Sequence, residues 1–116
     1  MNWKTKFTQT FNVKYPIVQG GLAHLAYADL AAAVSNAGGL GQITAMSLPG
    51  PDELRKEIER VRTMTDKPFG VNFAIGAGRR PYEDMVQVAV DEKVPAISVT
   101  GGNPKGVLDL VSGTNV

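Results

Sequence analysis

Residues 15–22, Tyr-Pro-Ile-Val-Gln-Gly-Gly-Leu, form a short apolar run that breaks into two glycines. Pro16 is tolerated at the start of a strand, and Ile17 and Val18 are β-branched residues that favour strands. The two glycines allow a tight turn and a close approach by another group, because glycine has no Cβ. The stretch predicts a buried first strand that ends at a site. An ordinary glycine turn after a strand is the alternative, since a glycine pair alone is a weak signal.

The rest of the chain alternates between helical and extended patterns. Helices are predicted over 26–37, 51–64 and 82–93, with a weaker one over 105–112, and strands over 40–45, 69–75 and 94–100. Markers in the four strands, Ile17, Leu40, Val71 and Ile97, are separated by about 23 to 31 residues, near the unit size of a barrel of eight strands and about 250 residues. Such alternation implies parallel strands joined by right-handed crossovers. We therefore predict an α/β fold, the N-terminal half of a (β/α)8 TIM barrel with four βα units.

The second predicted helix has the clearest amphipathic pattern. It opens with Pro51 and two acidic residues, as helices often do. Its apolar residues recur at helical spacing and predict one core-facing stripe: Leu54, Ile58, Val61 and Met64. The charged residues of the opposite face predict a solvated surface rather than a binding patch: Arg55, Lys56, Glu59, Arg60 and Arg62.

Composition narrows the classes of function. The chain has 116 residues, 43% of them hydrophobic, and twelve basic residues against eleven acidic ones. A net charge of +1 gives no global field for nucleic acid or an anionic membrane, so neither partner is expected. The absence of cysteine excludes disulfides, a thiolate nucleophile and cysteine-based metal sites, and we expect no metal. With no secretory signal pattern and no apolar run of membrane-spanning length, a cytoplasmic location is expected.

The carboxyl ends of the predicted strands are where a parallel sheet or barrel binds its ligand. These ends contain no Asp, Glu, Lys or Arg and are rich in glycine and small polar residues: 20–24, 44–46, 72–74 and 100–103. Such a rim suits a flat, polar heteroaromatic ring, which needs amide groups at close approach rather than strong charge. We therefore expect a small-molecule ligand.

Two polar residues near these ends have alternative interpretations. Asn72 lies inside an otherwise apolar strand, where an amide must find partners or cost a few kcal/mol. It either contacts a ligand or ties two strands together. His24 is the only histidine and has no paired carboxylate in its motif, so packing or a rim position is favoured over acid–base catalysis. No phosphate-binding Walker loop, nucleophile elbow, zinc-protease motif or dinucleotide fingerprint is present.

Four separated segments together resemble the nitronate monooxygenase (2-nitropropane dioxygenase-like) flavoprotein family in order and spacing. They are Pro16–Gly21, Ala31–Gly41, Lys67–Asn72 and Gly101–Pro104. The resemblance covers essentially the whole chain. The Gln-Gly-Gly opening is most similar to members that act as NADH:quinone reductases, and FMN-dependent enoyl-acyl-carrier-protein reductases form a neighbouring branch.

The resemblance implies an FMN-binding TIM barrel of which this chain is the N-terminal third. In that family the loop after strand one and the asparagine of strand three contact the flavin. The predicted cofactor-binding residues are therefore Gly21, Leu22, Ala23, Asn72, Ala74, Thr100 and Gly101. The family's active-site histidine and its FMN phosphate site lie beyond Val116, so no catalytic residue is predicted here and His24 does not take that role.

The implied activity is that of an FMN oxidoreductase, which either oxidises alkyl nitronates with O2 or transfers hydride from NAD(P)H through FMN to a quinone. The alternatives are an FMN-dependent enoyl-acyl-carrier-protein reductase and a non-catalytic half-barrel, or one piece of a two-chain assembly. Residues 1–116 are expected to be one partial domain, truncated before strand five and inactive alone. Inward side chains such as Val18 and Val71 would then lack partners, and we expect self-association or pairing with the missing C-terminal part.

Overall fold

A computed structural model describes residues 3–116 of the chain; Met1 and Asn2 lie outside the described residues. The elements in chain order are α1 (Lys6–Phe11), α2 (Ala28–Asn36), β1 (Gly41–Thr44), a 3₁₀ turn (Ala45–Ser47), α3 (Pro51–Met64), β2 (Phe69–Ala74), α4 (Glu83–Asp91), β3 (Ala96–Thr100) and α5 (Lys105–Val111). After the first predicted strand, the alternation of helices and strands predicted from the sequence is confirmed, with boundaries shifted by a few residues at most.

The strands form one parallel sheet in the order β1-β2-β3. Ile43 pairs with Val71, and Val71 pairs with Ile97, so the register is continuous across the sheet. Each crossover passes through a helix, α3 between β1 and β2 and α4 between β2 and β3. All three strands therefore end at the same edge of the sheet, as parallel strands must.

The predicted buried first strand is the main correction to the sequence analysis. Tyr15 and Pro16 lie in a bend, and within residues 15–18 only Val18 forms a β-bridge, to Leu40. Ile17 is 60% exposed and Val18 46% exposed, because this segment has a sheet neighbour on one side only among the described residues. The side chain of Gln19 extends the pairing, since its Nε2 donates to Gln42 O (3.0 Å) and its Oε1 accepts from Gln42 N (3.2 Å).

The two faces of the sheet differ in chemistry. Phe69, Val71 and Phe73 alternate along β2 and belong to the buried core shared with the helices. The residues between them, Gly70 and Asn72, therefore face the opposite side, which would be the inside of a barrel. The prediction that Val71 is an inward side chain was wrong by one residue of register, and a one-residue change in a strand reverses its face.

Helix α3 packs against the sheet through a narrower stripe than predicted. Leu54, Ile58 and Val61 are fully buried, whereas Met64, the last residue of the helix, is 40% exposed. Its remaining predicted features are confirmed, including Pro51 in the first turn. Glu57 has a further role, because its Oε2 accepts from Ala28 N (2.7 Å) and so caps the start of α2, which has no side-chain cap of its own.

The charged face of α3 lies at the surface and joins neighbouring helices. Arg60 donates to Asp29 of α2 (2.7 Å), and this hydrogen bond and charge raise the pKa of Arg60 above its ordinary value. The guanidinium is charged far above neutral pH in any case, so the shift carries no pH dependence near neutrality. Arg55 and Arg62 both pair with Glu92 after α4. Among residues 3–116 no helix is both long and apolar enough to cross a membrane.

The segment 3–13, whose structure the sequence left open, contains the short helix α1. Thr5 and Thr8 form a reciprocal capping box at the start of α1, and Asn12 ends it in the left-handed conformation (φ 54°). The rings of Phe7 and Phe11 lie 4.8 Å apart on one side of this helix. Side-chain capping therefore stabilises a helix too short to form by propensity alone.

Candidate ligand site at the strand ends

A cleft of about 240 Å³ opens where the parallel strands end. We call it the strand-end cleft, and its lining comes from the loop after the bridged segment, the ends of β1, β2 and β3, and two connecting loops: Gly21, Ala23, Thr44, Met46, Ser47, Asn72, Ala74, Arg79 and Thr100. Every described strand thus contributes to it. This is the location expected for a ligand in a parallel barrel.

The structure brings together five of the seven residues predicted to bind a cofactor. Gly21, Ala23, Asn72, Ala74 and Thr100 all line the strand-end cleft. Their role in binding a flavin stays a prediction, since the geometry shows only that they share one cavity.

The other two predicted residues lie elsewhere. Leu22 is 48% exposed and does not line the cleft. Gly101 has φ +84°, and a Cβ there would lie 2.5 Å from Ile75 O, so this glycine serves a tight turn packed against the backbone that follows β2. The family resemblance that implied them places both after strand ends, but it does not show the direction in which each loop turns.

Asn72 is the most constrained polar residue of the site. It is 4% exposed, and its Nδ2 donates to Ser98 Oγ (2.9 Å) and, more weakly, to Thr100 Oγ1 (3.4 Å). Asn72 therefore does tie β2 to β3, as the structural alternative predicted. The same side chain also lines the cleft, so the two interpretations of this residue are compatible.

Gly21 lies directly against the Asn72 side chain. A Cβ at Gly21 would lie 2.3 Å from Asn72 Oδ1, whereas a Cβ at Gly20 would meet nothing within 4 Å. The sequence predicted that a side chain at Gly21 would intrude on the site. The structure shows that the first group it meets is the Asn72 amide.

Four lining residues were not predicted as cofactor-binding, and one of them, Thr44, is the last residue of β1. Met46 and Ser47 belong to the 3₁₀ turn after β1, and Arg79 comes from the loop after β2. Ser47 Oγ lies 2.8 Å from Tyr27 Oη and ties this turn to the start of α2. Arg79 is the one charged side chain of the lining, and its position in a glycine-containing loop after a predicted strand was the available signal.

His24 takes a rim position rather than a place in the cleft lining. It is exposed and has a left-handed backbone (φ 62°), which is uncommon outside glycine, and its N–H donates to Ser47 Oγ (3.4 Å). Within residues 3–116 no group of three or more His, Asp or Glu side chains could hold a metal ion.

Comparison with protein families identifies the chain. Residues 4–81 match the family model described as nitronate monooxygenase. The chain belongs to the nitronate monooxygenase family. This match confirms the resemblance found in the four sequence segments. The family is one of oxidoreductases.

Curated relatives agree with this assignment and are much longer. A probable nitronate monooxygenase of Staphylococcus haemolyticus is 43% identical over 87 residues, which cover 75% of this chain and 24% of that protein. The Mycobacterium tuberculosis (3aS,4S,5R,7aS)-5-hydroxy-7a-methyl-1-oxo-octahydro-1H-indene-4-carboxyl-CoA dehydrogenase is 40% identical over 98 residues, covering 84% of this chain and 27% of that protein. The chain thus spans about a quarter of the length of these relatives.

Solved structures show the fold of the family. FabK from Thermotoga maritima superposes with a TM-score of 0.88 at 39% identity, covering 97% of this chain and 35% of FabK. Nitroalkane oxidase from Streptomyces ansochromogenes gives a TM-score of 0.76 at 28% identity, covering 92% of this chain and 39% of that one. Both are TIM-barrel enzymes, so the predicted fold class is confirmed: this chain has the structure of part of a (β/α)8 barrel. Its first unit differs from the prediction, with a bridge at Val18 in place of a full first strand.

Proposed function

We propose that this chain forms the first strands and the flavin-ring side of an FMN-dependent oxidoreductase. The observation that carries the proposal is the strand-end cleft, in which Gly21, Asn72 and Thr100 from three parts of the sheet meet in a chain of the nitronate monooxygenase family. The rest of the barrel would come from a continuation of the chain or from a second chain.

The cleft fits one part of FMN. Ligand pockets for whole cofactors measure roughly 300–1,000 Å³, so a cleft of about 240 Å³ suits the ring alone. Its small side chains at Gly21, Ala23 and Ala74 leave room for a flat group, and Asn72 and Thr100 offer polar contacts at its wall. Arg79 is its one charged lining residue. The FMN phosphate would lie in parts of the barrel outside these strands, as the family resemblance implies.

The chemistry at this site would divide between cofactor and protein. Bound FMN would supply hydride or single-electron transfer, which no side chain in the cleft provides. The described residues would bind and orient the ring: Gly21 permits close approach, Asn72 presents an amide, and Thr44 and Thr100 add hydroxyl groups.

Two substrate classes follow from the family for this site. One is an alkyl nitronate oxidised with O2, supported by the family match and by the Staphylococcus haemolyticus relative. The other is NAD(P)H with a quinone as acceptor, which the Gln19-Gly20-Gly21 opening suggested in the sequence. The likeness to FabK supports a second candidate function, that of an FMN-dependent enoyl-acyl-carrier-protein reductase.

The test uses the full-length gene product that contains this chain. Purified protein, reconstituted with FMN, is expected to show a bound-flavin absorption spectrum. Turnover is then measured with three substrate sets: ethyl nitronate with O2 uptake, NADH or NADPH with a benzoquinone, and NADH or NADPH with crotonyl-acyl carrier protein. Activity with the third set alone would favour the FabK-like candidate. A protein that retains no flavin after reconstitution would contradict the proposal and leave the non-catalytic alternative.

A further inference from the structure

Hydrogen bonds connect the Gln19 carbonyl to the cleft through Gln42, Ser98 and Asn72. The first bond decides which group donates and which accepts in each of the others. The Gln19 carbonyl oxygen can only accept, so the Gln42 side chain must present its Nε2 there, at 3.2 Å. Gln42 Oε1 then faces the other way and accepts from the Ser98 hydroxyl at 2.6 Å.

The Ser98 hydroxyl in turn fixes the orientation of the Asn72 amide. A serine hydroxyl has one hydrogen, and here it is donated to Gln42. The Ser98 oxygen must therefore accept from Asn72, whose Nδ2 lies 2.9 Å away. Once Nδ2 is committed to β3, Asn72 Oδ1 points to the side of Gly21, which lines the cleft.

The surroundings are shaped for this arrangement. A Cβ at Gly70 would lie 3.2 Å from both Gln42 Cγ and Gln42 Oε1, so a glycine at that position accommodates the Gln42 side chain. Gln42 and Asn72 are each 4% exposed, so water cannot easily replace their hydrogen bonds. A reversed Gln42 amide would place Oε1 against the Gln19 carbonyl oxygen, and a reversed Asn72 amide would place Oδ1 against Ser98 Oγ, which is costly. Among residues 3–116 no donor makes a hydrogen bond to Asn72 Oδ1.

We infer that Gln42 and Ser98 are positioning residues that hold Asn72 as a hydrogen-bond acceptor toward the cleft, and that the ligand group received there is an N–H donor. This inference rests on the proposed function for the identity of the ligand. Oxidised isoalloxazine carries a single ring N–H, at N3, and this is the group we assign to Asn72 Oδ1.

The direction of the Asn72 amide can be tested without any cofactor. In full-length protein labelled with ¹⁵N-asparagine, the side-chain signals of Asn72, assigned by their loss in Asn72→Asp, are expected to be slow to exchange with solvent. Ser98→Ala should speed this exchange at least tenfold, and Ser98→Thr, which keeps the hydroxyl, should restore slow exchange. Exchange that is equally fast in the unsubstituted protein and in Ser98→Ala would overturn the inference.

The ligand side is tested by comparing FMN with 3-methyl-FMN, which lacks the ring N–H. The unsubstituted protein should bind FMN about threefold to tenfold more tightly than the methyl analogue, the range for one hydrogen bond. Ser98→Ala and Gln42→Leu should weaken FMN binding and reduce this discrimination. The matched control is Ser35→Ala, which removes a buried hydroxyl that accepts from Gly41 N, away from the cleft, and should leave the discrimination unchanged.

The outcomes separate this inference from the proposed function. If the unsubstituted protein binds no FMN, the proposed function fails, while the exchange experiment still decides the direction of the amide. If FMN binds but Ser98→Ala discriminates against 3-methyl-FMN as strongly as Ser35→Ala does, the positioning role is wrong and the proposed function stands.

Discussion

At the scale of single residues, the site depends on one close contact. Gly21 and Asn72 come from segments about fifty residues apart and lie so close that a Cβ on Gly21 would overlap the Asn72 amide oxygen. Asn72 in turn bonds to Ser98 on the next strand. Gly21 thus lies next to a side chain whose Nδ2 is held by β3, and a side chain at residue 21 would displace it.

Gly21→Ala is expected to lower the free energy of unfolding by about 1–3 kcal/mol, the usual cost of adding a methyl group to a well-packed site. It should also weaken FMN binding, because the Asn72 amide must move. Gly20→Ala is the matched control, since a Cβ there meets nothing within 4 Å. Urea denaturation and flavin titration check both variants, and equal effects of the two would contradict this account.

Asn72→Ala should weaken FMN retention or shift the flavin absorption spectrum while the fold persists. The Ser98 hydroxyl keeps its bond to Gln42 in this variant, so we expect a stability loss of only about 0.5–1.5 kcal/mol, that of one hydrogen bond. Asn36→Ala removes a different inter-element bond, to Met64 O, and should leave the flavin unaffected. A sharp fall in melting temperature with an unchanged flavin spectrum would make Asn72 a purely structural residue.

At the scale of elements, α3 shows that tertiary packing decides which residues of an amphipathic pattern are buried. Four apolar residues share its predicted stripe, but the sheet covers only three of them. Met64 is the last residue of the helix, its side chain is 40% exposed, and its carbonyl oxygen accepts from Asn36 Nδ2. Burial, and not spacing alone, decides which of these side chains stabilises the fold.

Ile58→Ala and Met64→Ala test that difference within one helix. Ile58 is fully buried, so its truncation should cost about 2–5 kcal/mol of unfolding free energy. Met64 is 40% exposed, and its truncation should change the unfolding free energy by less than about 1 kcal/mol. Thermal and urea denaturation measure both, and comparable losses would mean that Met64 is buried in solution.

At the scale of the whole molecule, apolar side chains remain exposed where a closed barrel would cover them. Ile17 and Val18 lie on the bridged segment, and Leu25, 70% exposed, follows in the loop beside the cleft. On the other side of the sheet, β3 pairs with β2 alone among the described residues. A barrel removes such edges by closing, so an isolated chain of this shape exposes surface that favours association.

We therefore expect the isolated 116-residue chain to self-associate or to bind the remainder of its barrel, and to bind FMN at least tenfold more weakly than the full-length protein. Sedimentation velocity at micromolar concentration, combined with FMN titration, tests both statements. Ile17→Lys should reduce self-association, since a buried charge opposes it, whereas Lys56→Ala on the exposed face of α3 should not. A stable monomer that binds FMN at micromolar affinity would show that the chain is a domain in its own right.

The sequence by itself predicted the alternation of elements after the first strand, the parallel sheet and the location of the candidate site. These follow from local information: the helical spacing in α3, the glycines after α2 and the apolar runs of β2 and β3 each decide their own segment. The family resemblance implied seven site residues, and five of them meet in one cleft because they lie at or just after the ends of parallel strands, which end together.

Only the tertiary structure decided which side chains are covered and which way each loop turns. The apolar residues Ile17 and Met64 look like core residues in sequence, yet both are exposed, because burial depends on what packs against them. Contacts between residues far apart in the chain determine the positions of Gln42, Ser98 and Arg79 at or near the cleft. A hydrogen bond across 56 residues, such as that from Ser98 to Gln42, leaves no local pattern, since it exists only when the sheet brings both side chains to one face.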